Sequence, residues 1–154
     1  MLSSMAPVEV VLCTGNHSRF EEVAMAQIIE AYYRNDSDIT VDAGPMPRKY
    51  VEYGVNCIGF THGSDEKDRI YTLMQSEVPE IWGRTTSRVW LAGHIHHNSW
   101  VAKEDSSCVV FSLSAMAKPD RWTVKSGYTM AKSGCIAFVF NYEKGLDGIE
   151  FCYV

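Results

Sequence analysis

All five histidines of this 154-residue chain fall in three short glycine-flanked motifs: Gly15-Asn16-His17-Ser18, Thr61-His62-Gly63 and Gly93-His94-Ile95-His96-His97. Each motif directly follows an apolar, β-branched run, at 8–13, 55–60 and 88–92. Such runs predict strands, so the imidazoles stand at strand carboxyl ends, where a rigid sheet aims side chains from distant segments at one point. Scattered structural histidines would not sort in this way. The pattern predicts an α/β chain carrying a polynuclear metal site that handles phosphate.

Length and composition set the frame for such a site. With 154 residues the chain is expected to form one domain over 1–154, and 46% hydrophobic with 21% charged residues is ordinary for a globular protein. No segment approaches ~18 uninterrupted apolar residues, which excludes a transmembrane helix and predicts no membrane partner. Met1 to Pro7 carries no Lys or Arg, so no signal peptide is expected. The five cysteines are odd in number, widely spaced and lack Cys-x-x-Cys. Four lie within expected strands and Cys108 begins one, which predicts free thiols in a reducing, cytoplasmic setting. The net charge of −5, without a basic stripe, argues against a stand-alone duplex binder. Bound dications would reverse the sign locally and leave a phosphate-bearing substrate possible at the site itself.

Between the motifs the elements alternate. A helix is expected from about residue 19 to 34, with Phe20, Val23, Ala24, Ala26 or Gln27, Ile28, Ala31 and Tyr32 at its apolar positions. Ser18 is its expected N-cap, with Glu21 as the matching box residue. Strands are expected at 39–42, 49–53, 55–61, 88–92, 107–113, 121–124, 135–142 and 148–153, with the turn of a terminal hairpin at 143–147. A second helix is expected from 68 to about 78, ending at Pro79 or shortly after. The whole reads as α/β (α+β) with a substantial mixed sheet.

In extended backbone the side chains of His94 and His96 point the same way and can reach two neighbouring ions or share one. The same residues also suit a polar surface loop, and His97 is outer or exposed on either reading. His62 could simply cap a strand, and Asn16-His17 could form an Asn-containing turn.

Strand-Gly-Asn-His, strand-His-Gly and strand-Gly-His-x-His, in that order, resemble the calcineurin-like metallophosphoesterase superfamily. Gly15 to Phe20, the 48–51 stretch, Ile58 to Gly63 and Trp90 to His97 resemble its phage-encoded members, and the similarity covers most of the chain. The resemblance implies a sandwich of mixed sheets flanked by helices. It further implies that Asn16, His62 and His94 ligate one metal of a two-metal site and His96 the other. His17 would contact the phosphate and assist the leaving group, while Arg19 is a candidate substrate contact with Arg48, Lys49 and Arg121 as further cations. In such a site, ions about 3.5–4 Å apart hold a hydroxide for in-line attack. The nitrogen and oxygen donors suit Mn²⁺, Fe, Zn²⁺ or Ni²⁺ alike, and Mn²⁺ is the expected ion.

The chain also departs from the family. Asp-x-His and Gly-Asp, which supply the bridging carboxylate and further ligands, occur nowhere in the 154 residues. The expectation is therefore an N-terminally truncated domain that holds at most one metal well, since unbridged dications repel. Ser18 stands where the family usually has an acid, and it offers His17 no charge. Two functions follow. One is a phosphoesterase acting on phosphodiesters or phosphomonoesters, nucleotide or nucleic acid among them, completed by an N-terminal chain or by a homo-oligomer. The other is a degenerate, non-catalytic binding or regulatory module on the same fold.

Overall fold

The computed structural model describes residues 2–16, 19–94, 99–103, 108–116, 125 and 133–153. They form a mixed α/β chain with several sheets flanked by helices, in the order expected from the sequence. The chain divides into two compact units, residues 1–49 with 60–62, and residues 50–59 with 63–154. The expected strand at 121–124 lies outside the described residues, as do His17, Ser18, His96, His97 and Arg121.

In the first unit, strand β1 (Val8–Val11) and strand β2 (Ile39–Asp42) pair in parallel, with Val8 opposite Ile39 and Val11 opposite Asp42. Parallel neighbours need a crossover, and helix α1 (Arg19–Tyr33) provides it. The helix closes with the Asp36 N–H on the Tyr33 carbonyl at 2.8 Å, and the Asp36 carboxylate then accepts the Asp38 N–H at 3.1 Å. The helix bounds match expectation, and of the expected apolar positions Val23 and Ala26 turn inward while the others do not. Ala26 is the buried residue, flanked by the partly buried Val23, Ile29 and Tyr33. Phe20, Ile28 and Tyr32 are 90%, 68% and 79% exposed, and Ala24 and Ala31 are exposed beside them. The helix carries two apolar stripes at helical spacing, and periodicity alone cannot say which one meets the sheet. Cys13 lies beyond the end of β1, not within it as expected.

The second unit is built on a five-stranded sheet. Its order is β3 (Arg48–Tyr53), β4 (Asn56–Thr61), β5 (Ser87–Ala92), β7 (Cys108–Ser112) and β6 (Ser99–Lys103). The first residues of β3 and the last of β4 belong to the first unit. Strands β5 and β7 run parallel, with Ala92 opposite Ser112 at their carboxyl ends, while β6 joins β7 antiparallel. Strand β6 was not foreseen: it follows directly on the last histidine motif with no turn signal between them.

The expected second helix is two pieces, and a further, unexpected helix follows it. A 3₁₀ turn (Lys67–Arg69) leads into α2 (Ile70–Glu77), and α3 (Pro79–Arg84) follows. A residue before proline is driven out of the α region, and proline suits the first helical turn. Val78 accordingly has φ −134° and ψ 57°, so Pro79 ends one helix by starting the next.

Trp90, Met74, Cys57, Ile70 and Cys108 form the buried centre of this unit. Gly59 is what lets Trp90 and Met74 settle on β4. A Cβ there would stand 2.5 Å from the indole and 2.7 Å from the Met74 methyl. Burial pushes the Cys57 and Cys108 thiols up to about 11 and about 12, so neither is a nucleophile. The Tyr50 hydroxyl donates to Glu77, and Arg84 binds Glu52 through two bonds of 3.1 and 2.9 Å, which ties β3 to the helices.

Strands β8 (Gly134–Asn141) and β9 (Gly145–Tyr153) form the terminal hairpin. Ile136, Phe138 and Phe140 face inward, alternating with exposed Cys135, Ala137 and Val139, and Phe138 meets Phe111 edge-on at 5.1 Å. The turn is shorter than expected. The Asn141 side chain accepts the N–H groups of Glu143 and Lys144, and β9 begins at Gly145.

Candidate functional site

Two of the expected ligands come together in the first unit. Asn16 follows the end of β1 and His62 follows the end of β4, and the Asn16 Oδ1 stands 2.9 Å from the His62 Nε2. Without a metal this is a hydrogen bond from the imidazole N–H to the amide oxygen. The same spacing fits two neighbouring ligands of one ion. Donors about 2.1 Å from a metal and at right angles to each other lie about 3.0 Å apart. The donor set, one amide oxygen and one imidazole nitrogen, suits the divalent ions that accept mixed nitrogen and oxygen coordination.

Gly15 holds this pair close to a carboxylate. Its N–H donates to Glu22, in the first turn of α1. A Cβ on Gly15 would lie 3.3 Å from Glu22 Oε1 and 3.4 Å from the His62 ring. Glu22 thus brings a negative charge to the neighbourhood of Asn16 and His62. Sequence reasoning passed over it, because an acid in the first helical turn is already explained by the helix dipole.

His94 belongs to the second unit, just past the end of β5. There Gly63 turns with φ +96°, and a Cβ on it would stand 3.2 Å from Ala92 Cβ and 3.6 Å from His94 Cβ. Beside them lies a pocket of about 220 Å³. Ala92 and Ser112, opposite one another at the carboxyl ends of the parallel strands β5 and β7, form part of its wall with His94. Glu66, Lys67, Asp68 and Tyr71 supply much of the remainder. The carboxyl end of parallel strands is where open α/β sheets hold ligands. Glu66 is only 3% exposed, and Lys67 takes a left-handed φ of 50°. Burial raises the pKa of the Tyr71 hydroxyl, helped by the negative charge of Asp68. Ser112 is 6% exposed, and its Oγ has no hydrogen-bond partner among the described residues. A serine inside an apolar strand gives no sequence signal of this kind.

Of the other expected site residues, Arg19 is exposed at the first position of α1. Lys49 has a different task. Its side chain is 3% exposed, and its Nζ donates to the Asp42 carboxylate at 2.8 Å and to the Asp42 carbonyl at 2.6 Å. A lysine so enclosed is a structural cation of the first unit, not a surface contact for phosphate. His17 and His96 lie outside the described residues. Among the described residues, no three His, Cys, Asp or Glu side chains converge on one metal position.

No protein-family profile and no curated protein matches this chain. Among solved structures, it is similar to a conserved uncharacterized protein, a predicted phosphoesterase, from Streptococcus pneumoniae TIGR4. The identity is 13%, 95% of each chain is covered, and the TM-score is 0.38. At that score the likeness carries no argument about function.

Proposed function

We propose that this chain is a metal-dependent phosphoesterase domain of the calcineurin-like, phage type, acting on phosphodiesters or phosphomonoesters. The observation that carries the reading is the 2.9 Å approach of Asn16 Oδ1 to His62 Nε2, from two motifs 46 residues apart. Asn16 and His62 are two ligands of a divalent ion, Mn²⁺ before Fe, Zn²⁺ or Ni²⁺, and the motif resemblance adds His94 and His96 to the ligand set. When bound, the ion supplies Lewis acidity toward a phosphoryl oxygen and activation of water. Asn16 would hold the ion through its amide oxygen and His62 through an unprotonated Nε2. His17 contacts the phosphate and holds the proton for the departing oxygen. Arg19, exposed at the start of α1, binds the substrate's charge.

The bridging carboxylate that a second ion requires comes from a complementing N-terminal segment. Nucleotides and nucleic acids are the proposed substrate class, and the domain works in the cytoplasm. The competing reading is a binding module in which the Asn16–His62 contact is structural. Their direct hydrogen bond favours it, since that bond occupies Asn16 Oδ1 and His62 Nε2 without an ion.

Native mass spectrometry after Mn²⁺ loading, paired with hydrolysis of bis-p-nitrophenyl phosphate, separates the two. The enzyme reading expects at least one Mn²⁺ per chain, lost in His62→Ala. It also expects a rate that rises when a segment bearing Asp-x-His and Gly-Asp is added. No metal uptake, and no gain over either part alone, would establish the binding module instead.

A further inference from the structure

We propose that Cys135 and Cys152 form a reversible cross-strand disulfide, a modification site that responds to small-molecule disulfides. The two residues are direct partners in the antiparallel register of β8 and β9. Directly opposed residues of an antiparallel pair have Cα atoms about 4.5 or about 5.5 Å apart, and both spacings fall within the disulfide range of about 4.4–6.8 Å. Opposed residues point to the same face of a hairpin. Here that face is the outward one, and both thiols are free and exposed. The strand ends are also held close. A Cβ at Gly134 would stand 2.4 Å from the Cys152 carbonyl oxygen, so the glycine lets the β9 backbone come in beside Cys135. The other cysteines differ: Cys57 and Cys108 are buried, and Cys13 is partly so.

The exchange balances with glutathione disulfide as oxidant. One cysteine thiolate attacks a glutathione sulfur, and a glutathione thiolate leaves. The second cysteine thiolate then attacks the protein sulfur of the mixed disulfide and expels the second glutathione. The pair loses two electrons and two protons, and two reduced glutathiones carry them away. The bond closes the hairpin at its open end and fixes β9 to β8. In a reducing compartment it is transient, forming only when the disulfide pool rises.

The test uses the whole reduced chain incubated with glutathione disulfide and digested with trypsin. Lys132 and Lys144 flank the peptides, so Cys135 (residues 133–144) and Cys152 (residues 145–154) separate unless linked. The expected product is the linked pair of these peptides, released by dithiothreitol. It should exceed any other cysteine pairing by at least about tenfold, as the high effective concentration of neighbouring thiols implies. Cys135→Ser should accumulate glutathione on Cys152, and Cys152→Ser on Cys135. Separate glutathione adducts on both cysteines of the unsubstituted chain would overturn the proposal, as would linkage to Cys13 or no reaction at either thiol.

Discussion

Asn16 Oδ1 and His62 Nε2 face each other across 2.9 Å, although 46 residues of chain lie between them. His62 stands just past the end of β4, and Asn16 stands in the loop that leads from β1 to α1. If the pair is part of an ion site, His62→Ala should lower Mn²⁺ affinity by about tenfold or more, about 1.4 kcal/mol. Asn16→Asp, which trades an amide oxygen for a carboxylate, should tighten it. Isothermal titration with Mn²⁺ reads both, and equal affinity in all three proteins would rule the pair out as ligands.

The hydroxyl of Ser112 is buried without a partner among the described residues. An unsatisfied buried hydroxyl costs about 1–3 kcal/mol. Ser112→Ala should therefore leave stability unchanged or raise it by about 1 kcal/mol. Urea unfolding measures this; a loss of that size would mean that the hydroxyl has a partner after all.

Lys49 is almost wholly enclosed, and Asp42 is its counter-ion. Partial burial raises the Asp42 pKa, but the hydrogen bonds from Lys49 and Gly44 and the lysine charge outweigh it, so the net shift is downward. A depressed carboxylate adds stability above its unfolded pKa of about 3.9 and loses it as pH falls through the folded value. The first unit should therefore weaken below about pH 4, and Asp42→Asn should flatten that part of the profile. At neutral pH the same substitution should cost about 1–3 kcal/mol, because buried Lys49 keeps oxygen acceptors but loses its counter-charge. Circular dichroism melts across pH test both statements.

Gly59 lies under the Trp90 ring and the Met74 methyl, neither of which has room to retreat from a core already filled. Gly59→Ala should destabilise by about 1–3 kcal/mol through overpacking. Pairing it with Met74→Ala, which removes one of the two obstructing side chains, should recover part of that loss. Simple additivity of the two substitutions in chemical denaturation would contradict the placement.

Much of the architecture was legible because it rests on strong local signals. The apolar runs before the histidine motifs do form β1, β4 and β5, and the bounds of α1 follow from its periodicity. What was not legible depended on choices between equal local options. Val23 and Ala26 were expected on the inner face of α1, but Ile29 and Tyr33 compete with Phe20, Ala24 and Ile28 for the places beside them, and the sheet settles the matter. Pro79 marks a helix end and a helix start alike, and only the end was read from it, so α3 was missed. At the site, Glu22 and Ser112 were overlooked for a related reason: an acid in a first turn and a serine in a strand are each unremarkable until the fold supplies their neighbours. Lys49 was misassigned because sequence shows charge but not enclosure.

Asn56 is fully buried, and its amide nitrogen donates to the carbonyls of Tyr53 at 2.8 Å and of Asn141 at 2.9 Å. Next to it, the Val55 N–H donates to the Tyr142 carbonyl at 2.9 Å. The turn joining β3 to β4 and the turn of the terminal hairpin therefore grip each other across 85 residues of sequence. Hairpins form in microseconds from local contacts, whereas distant pairings wait on loop closure. The order of events during folding follows: β8 and β9 meet early, and the clasp around Asn56 closes among the last steps. Until it closes, the amide of Asn56 keeps its water, so shedding that water and completing the second unit are one event.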